Sequence, residues 1–218
     1  MSHSITNITL ISTVHWEIGM CNAEELSIIL SEESPDVIFL EAVPETYSDY
    51  GKMMFTSFGV YHAKLEIKAL QLFDPNFHVK YVPVLNSGWT ELFEQKYNQV
   101  CKNPEFRKMV DEFNALAGEL GIKFLNSDDG GKMQYSMRKM EDSFINDKCL
   151  KERFNLELNA YEDSMLDNIY SYCSNNQFDK AVFMCGVAHR KSIIEKIESF
   201  KSKYNTNLNW TIFGVMFD

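Results

Sequence analysis

With 218 residues, 45% of them hydrophobic, the chain can bury a substantial core, and no stretch reaches the roughly 20 apolar residues that span a bilayer. The formal charge of −10, with no basic run, argues against nucleic acid as a partner, because phosphate binding needs clustered Lys and Arg. Five scattered cysteines (Cys21, Cys101, Cys149, Cys173 and Cys185), odd in number and never in a CxxC pair, argue against a disulfide framework or a zinc-thiolate site.

Residues 5–14 are β-branched and apolar and predict a first strand. Asn22 followed by Glu25 resembles a capping box, and Leu26, Ile29 and Leu30 give the helix behind it an apolar face. Ser34-Pro35 ends that helix, and Val37–Leu40 forms the second strand, which makes a β-α-β unit of a length suited to parallel pairing. Residues 42–59 read as a loop, 61–73 as a helix, Asp74-Pro75-Asn76 as a turn and 77–84 as a third strand.

From about residue 90 to 172 no strand pattern occurs, and a helical insertion is expected, broken by a loop at 121–131 that includes Asp128-Asp129-Gly130-Gly131. Its last helix has the clearest periodicity in the chain. Phe154, Leu158, Tyr161, Met165, Ile169 and Tyr172 share one face, read as a core stripe. Residues 179–185 form a fourth strand, 191–200 an amphipathic helix and 208–217 a last strand. The expected fold is α/β: one domain over 1–218, a central, mostly parallel sheet flanked by helices, and a helical insertion at about 88–176 before the C-terminal strands.

Three strand ends carry the candidate chemistry. His15 in Ser12-Thr13-Val14-His15 and His189 in Gly186-Val187-Ala188-His189 each follow a buried strand, and Glu41 closes the second strand. Carboxyl ends of parallel strands are where ligands bind in open α/β sheets. Two imidazoles and a carboxylate suit a divalent metal (Mn, Co or Zn) with open positions, or metal-free general acid–base work. Glu17 and Glu45 are nearby alternatives to Glu41, whereas His3, His62 and His78 read as ordinary surface or core histidines.

Other chemistries lack their patterns. Gly130-Gly131-Lys132 is not a full phosphate loop and follows no strand, and no GxSxG elbow exists. Asp128-Asp129-Gly130 lacks the spaced carboxylates of an EF-hand. Cys185 reads as a buried, inert thiol, and Trp16 and Met53-Met54 as packing or pocket wall.

The order of these segments resembles the TraB/PrgY and Tiki superfamily, with erythromycin esterases and ChaN-like haem-binding proteins as distant relatives. Ser12-Thr13-Val14-His15 and Gly186-Val187-Ala188-His189 resemble its paired GxxH motifs, with Ser12 in place of the first glycine, and Val37–Leu40 with Glu41 resembles its glutamate segment. The helix around Tyr161-Glu162-Asp163-Ser164-Met165 resembles the family's Arg-Asp-x-x-Met signature, with Tyr161 where the arginine stands and Glu162 where the acid stands. Arg138 and Arg153 are the cations nearest in role, and neither aligns. The resemblance implies a hydrolase of peptidase or esterase type acting through His15, Glu41 and His189, with a divalent metal in the Tiki manner. The alternatives are a haem- or small-ligand-binding protein of ChaN type and a non-catalytic interaction protein. A small-molecule or peptide substrate, no membrane and a cytoplasmic setting are expected, since no basic n-region or small-residue cleavage site opens the sequence.

Overall fold

The continuous apolar runs become strands buried on both faces, as parallel sheets require. A computed structural model describes residues 5–45, 62–73, 79–88, 90–204, 206 and 208–215. In it β1 (Thr6–Thr13), β2 (Val37–Leu40), β3 (Lys80–Pro83), β4 (Lys180–Gly186) and β5 (Leu208–Ile212) form one sheet in the order β3-β2-β4-β1-β5. All four pairings are parallel, so the sheet is wholly rather than mostly parallel.

Among the described residues eight α-helices flank the sheet: α1 (Ala23–Glu33), α2 (Leu65–Leu72), α3 (Glu91–Val100), α4 (Pro104–Leu120), α5 (Ile122–Leu125), α6 (Asp128–Phe144), α7 (Lys148–Asn175) and α8 (Arg190–Tyr204). The pleat divides them into two layers. Ile11, Ile38, Val182 and Met184 pack with side chains of α1, α2, α4, α5 and α6. Ile8, Leu10, Val37, Phe39, Phe183 and Cys185 pack with α7 and α8. Fully buried Leu and Ile side chains on both faces contribute roughly 1.5–3 kcal/mol each. No described helix is long and apolar enough to cross a membrane.

Local signals explain most boundaries. Asn22 accepts the Glu25 N–H at 2.9 Å, but Glu25 does not complete a capping box. Its carboxylate instead accepts the Ile122 N–H at 2.7 Å and ties α1 to α5. Ser34 ends α1 in the left-handed region at φ 49°.

The break expected at 121–131 is much shorter than its composition implies. Ser127 accepts the Gly130 N–H, Asp128 and Asp129 sit in the first turn of α6, and the Asp-Asp-Gly-Gly segment is helical. A Cβ on Gly130 would lie 2.1 Å from the Phe124 carbonyl oxygen, so glycine lets α6 start directly against α5. The 74–76 turn, residues 77 and 78 of the third strand, and 46–59 of the early loop lie outside the described residues.

Candidate active site

After β1 the chain passes to α1 in one layer; after β4 it passes to α8 in the other. Adjacent strands whose connections leave to opposite faces open a crevice at their carboxyl ends. The register sets these ends nearly level, with Thr13 beside Gly186 and Leu40 beside Met184. β4 lies between β1 and β2, so the segments bearing His15, Glu41 and His189 share one rim.

His189 sits in a single 3-10 turn, Val187–His189, between β4 and α8, and is 3% exposed. Its Nδ1 lies 3.1 Å from Glu162 Oε1, and its Nε2 lies 3.6 Å from Glu41 Oε1. Glu162, on α7, is fully buried. Its other oxygen accepts from Ser192 Oγ and, at 3.1 Å, from Lys196 Nζ, while Arg138 Nη1 stands 3.8 Å from Oε1. Burial alone would raise the Glu162 carboxyl. Hydrogen bonds from His189 and Ser192, with the charges of His189 and Lys196, outweigh it and hold the group below the ordinary glutamate value. An ionised Glu162 can only accept, so a neutral His189 keeps its proton on Nδ1 and its lone pair on Nε2.

Glu41 is fixed from two directions. Tyr161 Oη donates to Oε1 at 2.8 Å, and the Gly186 N–H donates to Oε2 at 2.7 Å. The Tyr161 ring also lies 5.4 Å from the imidazole of His189. The core-stripe reading of α7 therefore holds for Phe154, Leu158, Met165 and Ile169 but is incomplete for Tyr161, whose hydroxyl belongs to the site.

His15 forms a second, similar pair. Its Nδ1 lies 3.1 Å from Oε1 of Glu66 on α2, and Thr13 Oγ1 donates to the same oxygen at 2.9 Å. The His15 carbonyl accepts the Leu65 N–H at 2.9 Å, fixing the chain where α2 begins. Unlike His189, the His15 side chain is 40% exposed. The hydrogen bond to Glu66 raises its pKa above the ordinary imidazole value; partial burial opposes this, and the charges of Glu66 and Glu41 reinforce it. Among the described residues, Glu66 Oε2 and Ser12 Oγ are buried without a hydrogen-bond partner.

Glu17 accepts the Ala23 N–H and pairs with Lys68 at 2.8 Å, and Glu45 is exposed. His62 accepts the Lys64 N–H, and His3, His78 and Met53-Met54 lie outside the described residues. Trp16, read as pocket wall, is 62% exposed, because the turn after β1 carries it outward. Burial pushes the Cys185 thiol well above its ordinary range, as an inert cysteine requires. Arg153 is exposed, whereas Arg138 reaches the site from α6 and donates to the Ala188 carbonyl at 3.2 Å.

For a divalent ion, the 3.6 Å between His189 Nε2 and Glu41 Oε1 is near the ligand spacing of about 3.4 Å on a tetrahedral ion with bonds near 2.1 Å. Two donors are too few, and among the described residues no group of three His, Cys, Asp or Glu side chains is placed to hold a metal. As arranged, the residues fit an acid–base centre better than a metal centre.

Two supports escaped the sequence. Glu66 carries no signal beyond an acidic residue in a first helical turn. Asn126 accepts the Ser12 N–H at 2.8 Å, donates to the Ser12 carbonyl at 2.9 Å, and accepts from buried Arg190 at 3.1 Å. It thereby locks the end of β1 to the start of α8. No protein-family model matches the chain, and no curated protein matches it.

Proposed function

We propose that the protein hydrolyses an ester or amide bond of a small-molecule or peptide substrate, with His189 as general base. The observation that carries this reading is a buried imidazole held at Nδ1 by an ionised carboxylate while its Nε2 faces Glu41 Oε1 across 3.6 Å. That separation is too long for a hydrogen bond and short enough for one water to bridge. Its water gives one proton to Nε2 as its oxygen attacks the carbonyl carbon, and Glu41 holds the other hydrogen. Glu162 stabilises the imidazolium that forms.

His15, with its raised pKa, returns a proton to the departing oxygen or nitrogen as the carbonyl–heteroatom bond breaks. One C–O bond forms, one C–O or C–N bond breaks, and solvent carries the proton from His189 back to His15. The resemblance to the TraB/PrgY and Tiki superfamily supports the same three residues, and Glu162 stands where that pattern has its acid. A haem-binding role draws less support, because both ring nitrogens of His189 already face carboxylates.

The test is a panel of alkyl esters, aryl esters and peptides assayed with metal-stripped protein, beside elemental analysis. The expected result is hydrolysis without added metal that falls about 10²- to 10⁴-fold in His189→Ala. Activity strictly dependent on Mn²⁺, Co²⁺ or Zn²⁺, with metal content lost in His15→Ala, Glu41→Ala and His189→Ala, would replace general-base catalysis by a metal centre on the same residues.

A further inference from the structure

The helices of residues 91–175 do more than cover the sheet. Between α3, α4, α6 and α7 they leave an open cavity of about 350 Å³, within the size range of small-molecule sites. Phe93, Phe106, Phe113, Met137 and Leu158 wall it, and His189 with Ala188 and Val187 forms one end. These five walls are all at least nine-tenths buried, as are Lys96 and His189, so the cavity is largely apolar with two buried polar groups in its lining.

Its charged lining residues already stand beside opposite charge, although Lys96 Nζ is buried without a hydrogen bond among the described residues. Lys96, 5% exposed, has its Nζ 3.1 Å from Glu141 Oε2, 3.7 Å from Asp142 Oδ1 and 3.5 Å from the centroid of the Phe154 ring. Arg138 donates from Nη1 to the Ala188 carbonyl, and the same nitrogen stands 3.8 Å from Glu162. An anionic ligand would have to compete with carboxylates already in place, and a cationic one would meet Lys96 and Arg138. A neutral apolar group meets neither obstacle, and contact with the phenylalanine, methionine and leucine walls favours it.

We infer that this cavity is the acyl pocket of the site: it receives the neutral, apolar acid portion of the substrate and presents its carbonyl carbon to His189. This rests on the hydrolytic reading of His189. It narrows the substrate class to esters or amides of apolar carboxylic acids. At about 30 Å³ for each water-sized group, the volume holds about a dozen such groups, which suits an acyl chain of medium length or an aryl group.

The experiment compares kcat/KM for p-nitrophenyl acetate, butyrate, hexanoate, octanoate and dodecanoate, and titrates hexanamide into the wild type and variants. The wild type is expected to gain about three- to fourfold per buried methylene through octanoate and to level off by dodecanoate, whose chain fills the cavity. Met137→Trp, which fills the cavity, is expected to flatten the profile. Should that variant not fold, Leu158→Phe and the wild-type profile carry the same test. Hexanamide is expected to bind His189→Ala, which lacks the base, and to bind Met137→Trp in that same background at least tenfold more weakly. A profile best for acetate, with no hexanamide binding, would overturn the pocket while His189→Ala still tests the reaction. Hexanamide binding lost in Met137→Trp, with no ester hydrolysed at any length, would overturn the hydrolytic reading and support the cavity's preference for neutral apolar groups.

Discussion

The rim carries two histidine–glutamate pairs of the same local geometry, each with Nδ1 and Oε1 3.1 Å apart, in opposite environments. The His15–Glu66 pair has side chains 40% and 16% exposed, and the His189–Glu162 pair 4% and 1%. Around Glu162 the protein gathers Ser192, Lys196 and Arg138, because a buried carboxylate must be met by donors and positive charge. Around Glu66 there is less: Thr13 and His15 meet one oxygen, and the other is buried without a partner among the described residues. In the proposed reaction, burial makes one pair a rigid base opposite Glu41, and exposure lets the other hold and release a proton.

Breaking the buried pair should have the largest effect. Glu162→Ala leaves His189, Lys196 and Arg138 without their shared counter-charge and is expected to cost about 3–5 kcal/mol in urea unfolding. Glu66→Ala, whose partner His15 is 40% exposed, should cost less, about 1 kcal/mol. Equal losses would erase the distinction. The depressed Glu162 pKa adds a sign: its stabilisation is present above the ordinary glutamate value and is lost as pH falls through the lower folded-state value. The stability gap between wild type and Glu162→Gln should therefore close in acid.

A smaller change probes what joins the two pairs. Tyr161→Phe removes a hydrogen bond from Glu41 but leaves the Gly186 N–H on its other oxygen. The expected cost is about 1–3 kcal/mol in unfolding, with at least a tenfold fall in hydrolysis as Glu41 loses its fixed position. Unchanged activity would make Tyr161 a packing residue only.

The smallest effect concerns His15. Its pKa is raised, so the pair's stabilisation is complete below the ordinary imidazole value near 6.5 and is lost as pH rises through the folded-state value. The urea midpoints of wild type and Glu66→Gln should differ at pH 5.5 and converge at pH 9. Divergence in the alkaline direction would contradict the assigned sign.

Why the sequence showed one half of this arrangement and hid the other has physical reasons. β1, β2 and β4 are continuous apolar runs, so their ends, and with them His15, Glu41 and His189, stand out. Glu162 was readable too: it falls in phase with Leu158, Met165 and Ile169, and a carboxylate on a buried face needs a partner. Glu66 has no such mark, because its helix is short and its partner lies fifty residues away in the chain. The Asp-Asp-Gly-Gly segment reads as a loop by composition, yet the Ser127 cap and the close approach of Gly130 to Phe124 make it helical. The cavity is invisible in sequence because its walls come from four helices, and periodicity fixes the face of each helix without fixing how the faces meet.

The division of labour between the pairs is tested most directly by two substrates whose leaving groups differ in their need for a proton, p-nitrophenyl hexanoate and ethyl hexanoate, with His189→Ala and His15→Ala. Loss of the base should lower kcat/KM for both esters by at least about 100-fold. Loss of the acid should lower it at least tenfold for the ethyl ester and no more than about threefold for the aryl ester, whose phenolate leaves unassisted. His189→Ala protein that hydrolyses both esters at the wild-type rate would contradict the assignment of the buried pair as the catalytic base.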